Sequence, residues 1–436
     1  MRTLAILLLT GVSASALVPP TKAAGYRLEA AVDRLDAIYK KGEPVTCTIK
    51  LSKDGRPVID AEVSWTFSKD GLPPYENGKA MLKNGTATVT GKLDEPGFLQ
   101  CRASFREKPD GTPISALAGA GIDPLEIKPS MPVPDDFDAF WIAQKKKLAA
   151  VPMNARLTPA KSPSIKVDVF DVQADSIGAP VSAYFAKPNG AKPRSLPAVL
   201  TVHGAGVSTS QSGSATGWAG NGALAMDMNA HGIPNGKPAQ FYKDLANGAL
   251  KDYRFVGIND REKCYFLGMF LRLVRAIEFL TSQPEWNGKD VIVFGSSQGG
   301  FQAFAAAGID ERVTAFCAGV PAGCDHTGVV VKRVNGWPKF IQSLPVIAPD
   351  PKVLETVRYF DNVNFAAHTK AKRCVVTVGF IDTTCPPTSV YAAYNALPIK
   401  KEIFNDVKSG HANSPAAMKA MQAVALEIIK SASANP

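Results

Sequence analysis

The chain has 436 residues, 49 Lys and Arg against 39 Asp and Glu, and a formal charge of +10, with 45% hydrophobic and only 20% charged residues. That much apolar material excludes a disordered or fibrous protein, and the length passes the roughly 250–300 residues at which single cores stop growing, so two domains are expected. Lys and Arg are scattered rather than blocked, so the charge reads as a mildly basic surface and nucleic acid is not an expected partner.

The chain opens with a leader pattern over residues 1–24: Arg2 supplies a positive start, Leu4 to Leu9 is a short apolar run, and Ala14-Ser15-Ala16 fits the small-x-small cleavage rule. The run is too short for a bilayer, and no later tract is long enough, so no membrane span is expected. Export to the periplasm or the medium is the expected location, which makes the seven cysteines disulfide candidates.

Alternating strand patterns follow at Val45–Ile49, Glu62–Phe67 and Thr86–Thr90, separated by the turn signals Lys53-Asp54-Gly55 and Lys83-Asn84-Gly85. Several short strands in about a hundred residues predict a small β-sandwich over 25–128. Trp65 between Cys47 and Cys101 resembles the immunoglobulin pattern, although Leu99 stands where a tyrosine corner would need Tyr. Cys47 and Cys101 are either a disulfide or two buried thiols.

Prolines 129, 132 and 134 mark an extended linker. Beyond it, in 129–436, the period changes. Asp135-Asp136 can cap a helix with Phe137, Phe140, Trp141 and Leu148 on one stripe. Strands at 166–172, 181–185, 198–202 and 291–294 alternate with helical patterns such as 266–280. Continuous apolar strands between helices predict an α/β fold with a mostly parallel sheet covered on both faces.

The strongest chemical signal is Asp290-Val-Ile-Val-Phe294 running into Gly295-Ser-Ser-Gln-Gly-Gly300 and then a helix-forming stretch. Strand, tight turn and helix form the context of a G-x-S-x-G nucleophile elbow, which lifts the Ser297 hydroxyl to a helix N-terminus. A hydroxyl nucleophile needs a base, and the base an orienting acid, in the order acid then histidine after the serine. Of the five histidines, His411 lies on a loop after the strand-like 401–407, whereas His368 ends a helical stretch and reads as structural. Asp382 sits where the apolar strand 373–378 gives way to a loop, with Asp325 and Asp406 as weaker alternatives. Gln298, directly after the nucleophile, and Ala205, in the glycine loop His203-Gly204-Ala205-Gly206, are the candidate oxyanion amides. His203 is expected to pin that loop.

Pro134-Asp-Asp-Phe-Asp-Ala-Phe-Trp141, the His203-Gly204 loop, Gly295–Gly300 and Val378-Gly-Phe-Ile-Asp-Thr-Thr-Cys-Pro-Pro387 together resemble the carbohydrate esterase family of acetyl xylan esterases and cephalosporin C deacetylases. The likeness also takes in Tyr359–Phe365 and Ser389–Asn395, and spans about 132 to 432. It implies that the sandwich precedes an α/β-hydrolase fold over that span, and it implies release of acetyl groups from sugar hydroxyls. It also implies a Ser297, Asp382 and His411 triad, with oxyanion amides at Gln298 and Ala205.

The family commonly carries an aromatic residue after the His-Gly pair, where this chain has Ala205, so the acyl or sugar pocket is expected to differ there. The sandwich is absent from the minimal members, which leaves ring-like homo-oligomers open. Trp218, in the Gly/Ser-rich stretch 207–222, is either a sugar platform or a core side chain. Cys264, Cys317, Cys324, Cys374 and Cys385 read as core or loop residues, with Cys385, which opens a helix beside the site, also a candidate reactive thiol. No metal or other cofactor is expected. The expected partner is an acetylated carbohydrate such as xylan; a feruloyl-type esterase and a silent polysaccharide-binding scaffold are the alternatives.

Overall fold

The computed structural model describes residues 25–342 and 348–434, so the leader pattern lies outside the described residues. The N-terminal part is two packed sheets. One holds Tyr26–Val32, Val45–Lys53, Arg56–Pro57 and Thr86–Gly91; the other runs Ile38–Tyr39, Ile114–Ile122, Gly97–Phe105, Glu62–Lys69, Glu76–Met81. Inward residues at every second position, such as Cys47, Ile49 and Leu51 against Val63, Phe67, Leu99 and Cys101, form its core. Cys47 and Cys101 are free and buried there, with their side chains hydrogen-bonded to each other. Trp65 shares the inward face with Val63 and Phe67 but is only partly buried.

The linker is tied down. The Ser130 amide and hydroxyl donate to Asp325 Oδ1 at 2.8 and 2.6 Å, and Arg358 donates to the Pro132 carbonyl at 2.7 Å. Helix α1 (Phe137–Ala149) buries the predicted stripe of Phe137, Phe140, Trp141 and Leu148. Asp136 makes no cap bond; its carboxylate instead takes the Tyr359 hydroxyl and pairs with Arg261 at 2.8 Å.

The remaining strands form one sheet of nine among the described residues. They are β1 (Arg156–Pro159), β2 (Val167–Ala174), β3 (Val181–Pro188), β4 (Leu196–Val202), β5 (Leu224–Met228), β6 (Trp286–Ser296), β7 (Ala315–Gly319), β8 (Arg373–Gly379) and β9 (Lys400–Asp406). Their order is β1-β2-β3-β5-β4-β6-β7-β8-β9, antiparallel as far as the β3–β5 pair and parallel from β5 onward. Helices α2 (Ser212–Gly220) and α6 (Pro415–Ala434) cover one face; α1, α3 (Tyr265–Ser282), α4 (Gln298–Ile309) and α5 (Pro387–Ala396) cover the other. Mixed sheet and two helical layers make this the α/β-hydrolase architecture, in which the carboxyl ends of parallel strands carry the chemistry.

The sandwich docks on the loop after β8. Phe98 meets Phe380 edge-on at 4.9 Å and Tyr391 at 5.5 Å, and Asn395 Nδ2 donates to the Pro124 and Ile127 carbonyls at 2.9 and 2.8 Å. Gly119 lies so close that a Cβ there would stand 2.3 Å from the Phe380 carbonyl oxygen. Buried in the same junction, Asp70 accepts from the Phe98 amide at 3.1 Å and from the Thr388 hydroxyl, while its Oδ2 has no partner.

Burial pushes the Asp70 carboxyl up to about 6. Its folded pKa thus exceeds the unfolded value of about 3.9, so the folded state holds the proton more tightly. The stability this contributes is present at low pH and is lost as pH rises through about 6, a fall on the order of 2–3 kcal/mol for this group. We expect thermal melts to show Asp70→Asn losing less melting temperature than wild type between pH 4.5 and 7.5; parallel slopes would refute the assignment.

Candidate active site

Strand β6 delivers Ser297 into a turn with φ 58° and ψ −122°, a region that costs a non-glycine residue strain. The turn is held by the Ser297 amide donating to the Gly319 carbonyl at 2.8 Å, and by the Ala322 amide donating to the Ser297 carbonyl at 3.0 Å. Two glycines permit it: a Cβ on Gly295 would stand 2.5 Å from Gly299, and one on Gly299 would stand 2.3 Å from the Val202 carbonyl oxygen. Ser297 therefore sits at the head of α4, with the Gln298 amide as the first helical N–H and no intrahelical acceptor.

His411, on the loop between β9 and α6, places Nε2 2.8 Å from Ser297 Oγ. Its Nδ1 lies 2.8 Å from Asp382 Oδ2, and the other Asp382 oxygen accepts the Thr384 and Cys385 amides at 2.8 and 2.9 Å. Asp382 is fully buried and can accept only, so Nδ1 carries the histidine proton and Nε2 is left to accept from the serine. The structure thus brings Ser297, His411 and Asp382 into one hydrogen-bonded chain.

The loop after β4 lies alongside: the position of a Cβ on Gly204 is 3.8 Å from Ser297 Cβ, and Ala205 and Gly206 face solvent. The other sequence candidates are engaged elsewhere. Asp325 binds Ser130 and Arg333, Asp406 accepts the Ser414 amide at 3.2 Å, and His368 bonds the Asn364 carbonyl at 2.8 Å.

Burial decides the two readings left open, for Trp218 and for Cys385. Trp218 is 6% exposed on α2, packed 5.4 Å from Phe294 under the sheet, so it is a core side chain and no sugar platform. Its helix gains more from burying that indole than its three glycines cost. Cys385 is buried, and burial together with the Asp382 charge raises its thiol well above the ordinary range, the opposite of an activated thiolate. All seven cysteines are buried, so we expect native protein to show no fast-reacting thiol with an aromatic disulfide reagent; a rapid burst lost in Cys385→Ala would contradict this.

Among the described residues, one cluster has metal-ligand atoms within 4.8 Å of one another: Asp382, Cys385 and His411. Its Asp and His are already bonded to each other, to Ser297 and to two amides, and its sulfur disfavours the thiolate a metal needs. The arrangement suits proton transfer.

Sequence reasoning missed Asn413, which donates to Ser296 Oγ at 2.9 Å and accepts from the Thr377 hydroxyl, tying the histidine loop to two strand ends. Its place two residues after His411 was the only available signal.

The description of the acetyl xylan esterase family matches residues 123–425. The acetyl esterase Axe7A of Xylanibacter ruminicola is 33% identical over 379 residues, covering 84% of this chain and 82% of that protein. Among solved structures, the acetyl xylan esterase from Paenibacillus sp. R4 matches with a TM-score of 0.60 and 29% identity, over 70% of this chain and 98% of that one. Acetyl xylan esterase 1 from Thermoanaerobacterium sp. JW/SL YS485 shares the fold, with a TM-score of 0.56 and 24% identity over 70% of this chain and 97% of that one.

Proposed function

The chain belongs to the acetyl xylan esterase family and is a serine-type carboxylic ester hydrolase, an acetyl esterase; from that premise we propose that it deacetylates xylan or related sugars through Ser297, His411 and Asp382. His411 Nε2 takes the Ser297 proton as Oγ attacks the acetyl carbonyl. The oxyanion accepts from the Gln298 amide at the head of α4 and from the Ala205 amide. His411 returns the proton to the departing sugar oxygen, leaving acetyl-Ser297. Water then repeats the sequence, deprotonated by His411, and acetate leaves with Ser297 restored. Asp382, 2.8 Å from His411 Nδ1, holds the imidazolium as it forms. No step calls on a cofactor.

The observation that carries this reading is the unbroken chain of 2.8 Å contacts from Ser297 Oγ through His411 to Asp382. The leader pattern supports export, with the sandwich, read as immunoglobulin-like, travelling with the enzyme. No described helix is long and apolar enough to cross a membrane.

A panel of acetylated xylan, longer-chain acyl esters and feruloyl esters tests the substrate class. We expect acetate release to dominate, with Ser297 carrying one acetyl group in rapidly quenched reactions. Preference for feruloyl esters, or polysaccharide binding without hydrolysis, would replace this reading with one of the alternatives.

A further inference from the structure

Arg272, on α3, is 3% exposed, and its guanidinium donates to a backbone carbonyl rather than to a carboxylate. Leaving a guanidinium uncompensated in a protein interior is costly, so where its hydrogen bonds lead matters. They lead to the loop that holds Ala205, by two routes.

On the first route, Arg272 Nε and Nη2 donate to the Ala230 carbonyl at 3.2 and 2.6 Å. The Ala230 amide donates to His203 Nε2 at 2.9 Å, so the His203 proton must sit on Nδ1. That Nδ1–H donates to the Gly204 carbonyl at 2.7 Å. The Gly204 carbonyl and the Ala205 N–H are the two ends of one trans peptide unit. A donor on the carbonyl therefore both orients the Ala205 N–H and makes it a stronger donor.

On the second route, Arg272 bonds the Tyr265 hydroxyl, which lies 2.7 Å from His231 Nδ1. His231 Nε2 lies 3.1 Å from the Gly206 carbonyl, which can only accept, so the His231 proton is on Nε2 and Tyr265 donates to Nδ1. The two imidazoles thus hold the carbonyls on either side of Ala205. Burial keeps both rings neutral: His203 is lowered, and His231 is pushed down to about 3. They therefore act as fixed dipoles throughout the working pH range.

Tyr253 joins the opposite wall, packing edge-on against His231 at 4.6 Å and donating to the Gln298 side chain.

We propose that Arg272, relayed by Tyr265 and by the paired imidazoles of His203 and His231, is a positioning device that aims the Ala205 amide at the developing oxyanion and places a buried positive charge behind it. A ground-state carbonyl gains little from that charge, whereas an oxyanion gains much, so the effect belongs to kcat. The inference rests on the acyl-transfer reading above.

The test compares Tyr265→Phe, which keeps the ring and removes the relaying hydroxyl, with Arg272→Met and Arg272→Lys. For Tyr265→Phe we expect kcat on acetyl esters to fall about tenfold with KM within about twofold. Affinity for an alkyl boronic acid, which mimics the tetrahedral state, should fall by the same factor. The pH profile of kcat/KM should not move, because neither imidazole titrates there. Arg272→Met should lose more, and Arg272→Lys should recover part.

Wild-type kcat in Tyr265→Phe would overturn the proposal. So would a loss in kcat with boronate affinity unchanged. Should Arg272→Met fail to fold, Tyr265→Phe decides alone. Activity surviving in Ser297→Ala would instead overturn the acyl-transfer reading, so the two failures are distinguishable.

Discussion

Ser297→Ala is expected to lower kcat for acetyl ester hydrolysis by roughly four to six powers of ten, with melting temperature and substrate affinity nearly unchanged. In the proposed mechanism the hydroxyl supplies the attacking oxygen, and no neighbour can replace it. Ser296 Oγ is held by Asn413, and the Cys385 thiol is buried and held protonated. The backbone at φ 58° accepts alanine no worse than serine, so the elbow stays formed. Residual turnover should reflect the oxyanion amides acting on water. Steady-state kinetics with circular dichroism checks this, and a variant keeping even a tenth of wild-type activity would remove Ser297 as nucleophile.

Asp382→Asn is expected to cost about four powers of ten in kcat. The loss comes from the histidine tautomer. One Asp382 oxygen accepts two amides, from Thr384 and Cys385, so an asparagine must keep its carbonyl oxygen there. Its NH2 then faces His411 Nδ1, which can no longer donate, and the histidine proton moves to Nε2. That atom now opposes the serine hydroxyl instead of accepting from it. Asp325→Asn and Asp406→Asn provide the comparison, because neither carboxylate is bonded to His411. Full activity in Asp382→Asn, or an equal loss in Asp406→Asn, would reassign the acid.

Both losses arise from residues at the carboxyl ends of parallel strands, which is why the site was so legible in one dimension. Strands β4, β6 and β8 read clearly as Pro-Ala-Val-Leu-Thr-Val, Val-Ile-Val-Phe and Cys-Val-Val-Thr-Val, because a strand buried on both faces is a continuous apolar run. The glycine-flanked serine and the aspartate then followed in order, each just beyond such a run, and the histidine came after the charged edge strand β9. Strands β5 and β7 escaped notice: Leu-Ala-Met-Asp-Met and Ala-Phe-Cys-Ala-Gly carry little β propensity, and only neighbours on both sides make them strands. Helix α2, with three glycines in nine residues, is helical because its Ala215, Trp218 and Ala219 are buried against the sheet.

Local sequence by itself determined the α/β class, the elbow at Ser297 and the loop positions of Asp382 and His411, because period, turn chemistry and strand ends are properties of contiguous residues. Tertiary structure alone decided the rest. Trp218 became core, Cys385 an inert thiol, and the sandwich a wall behind the acid loop through Phe98 and Phe380. Only the folded chain gathers Gly204, His203, Ala230 and Arg272 from separate segments into one hydrogen-bonded path. Such paths depend on distance and burial between residues far apart in the chain, and no local pattern encodes either quantity.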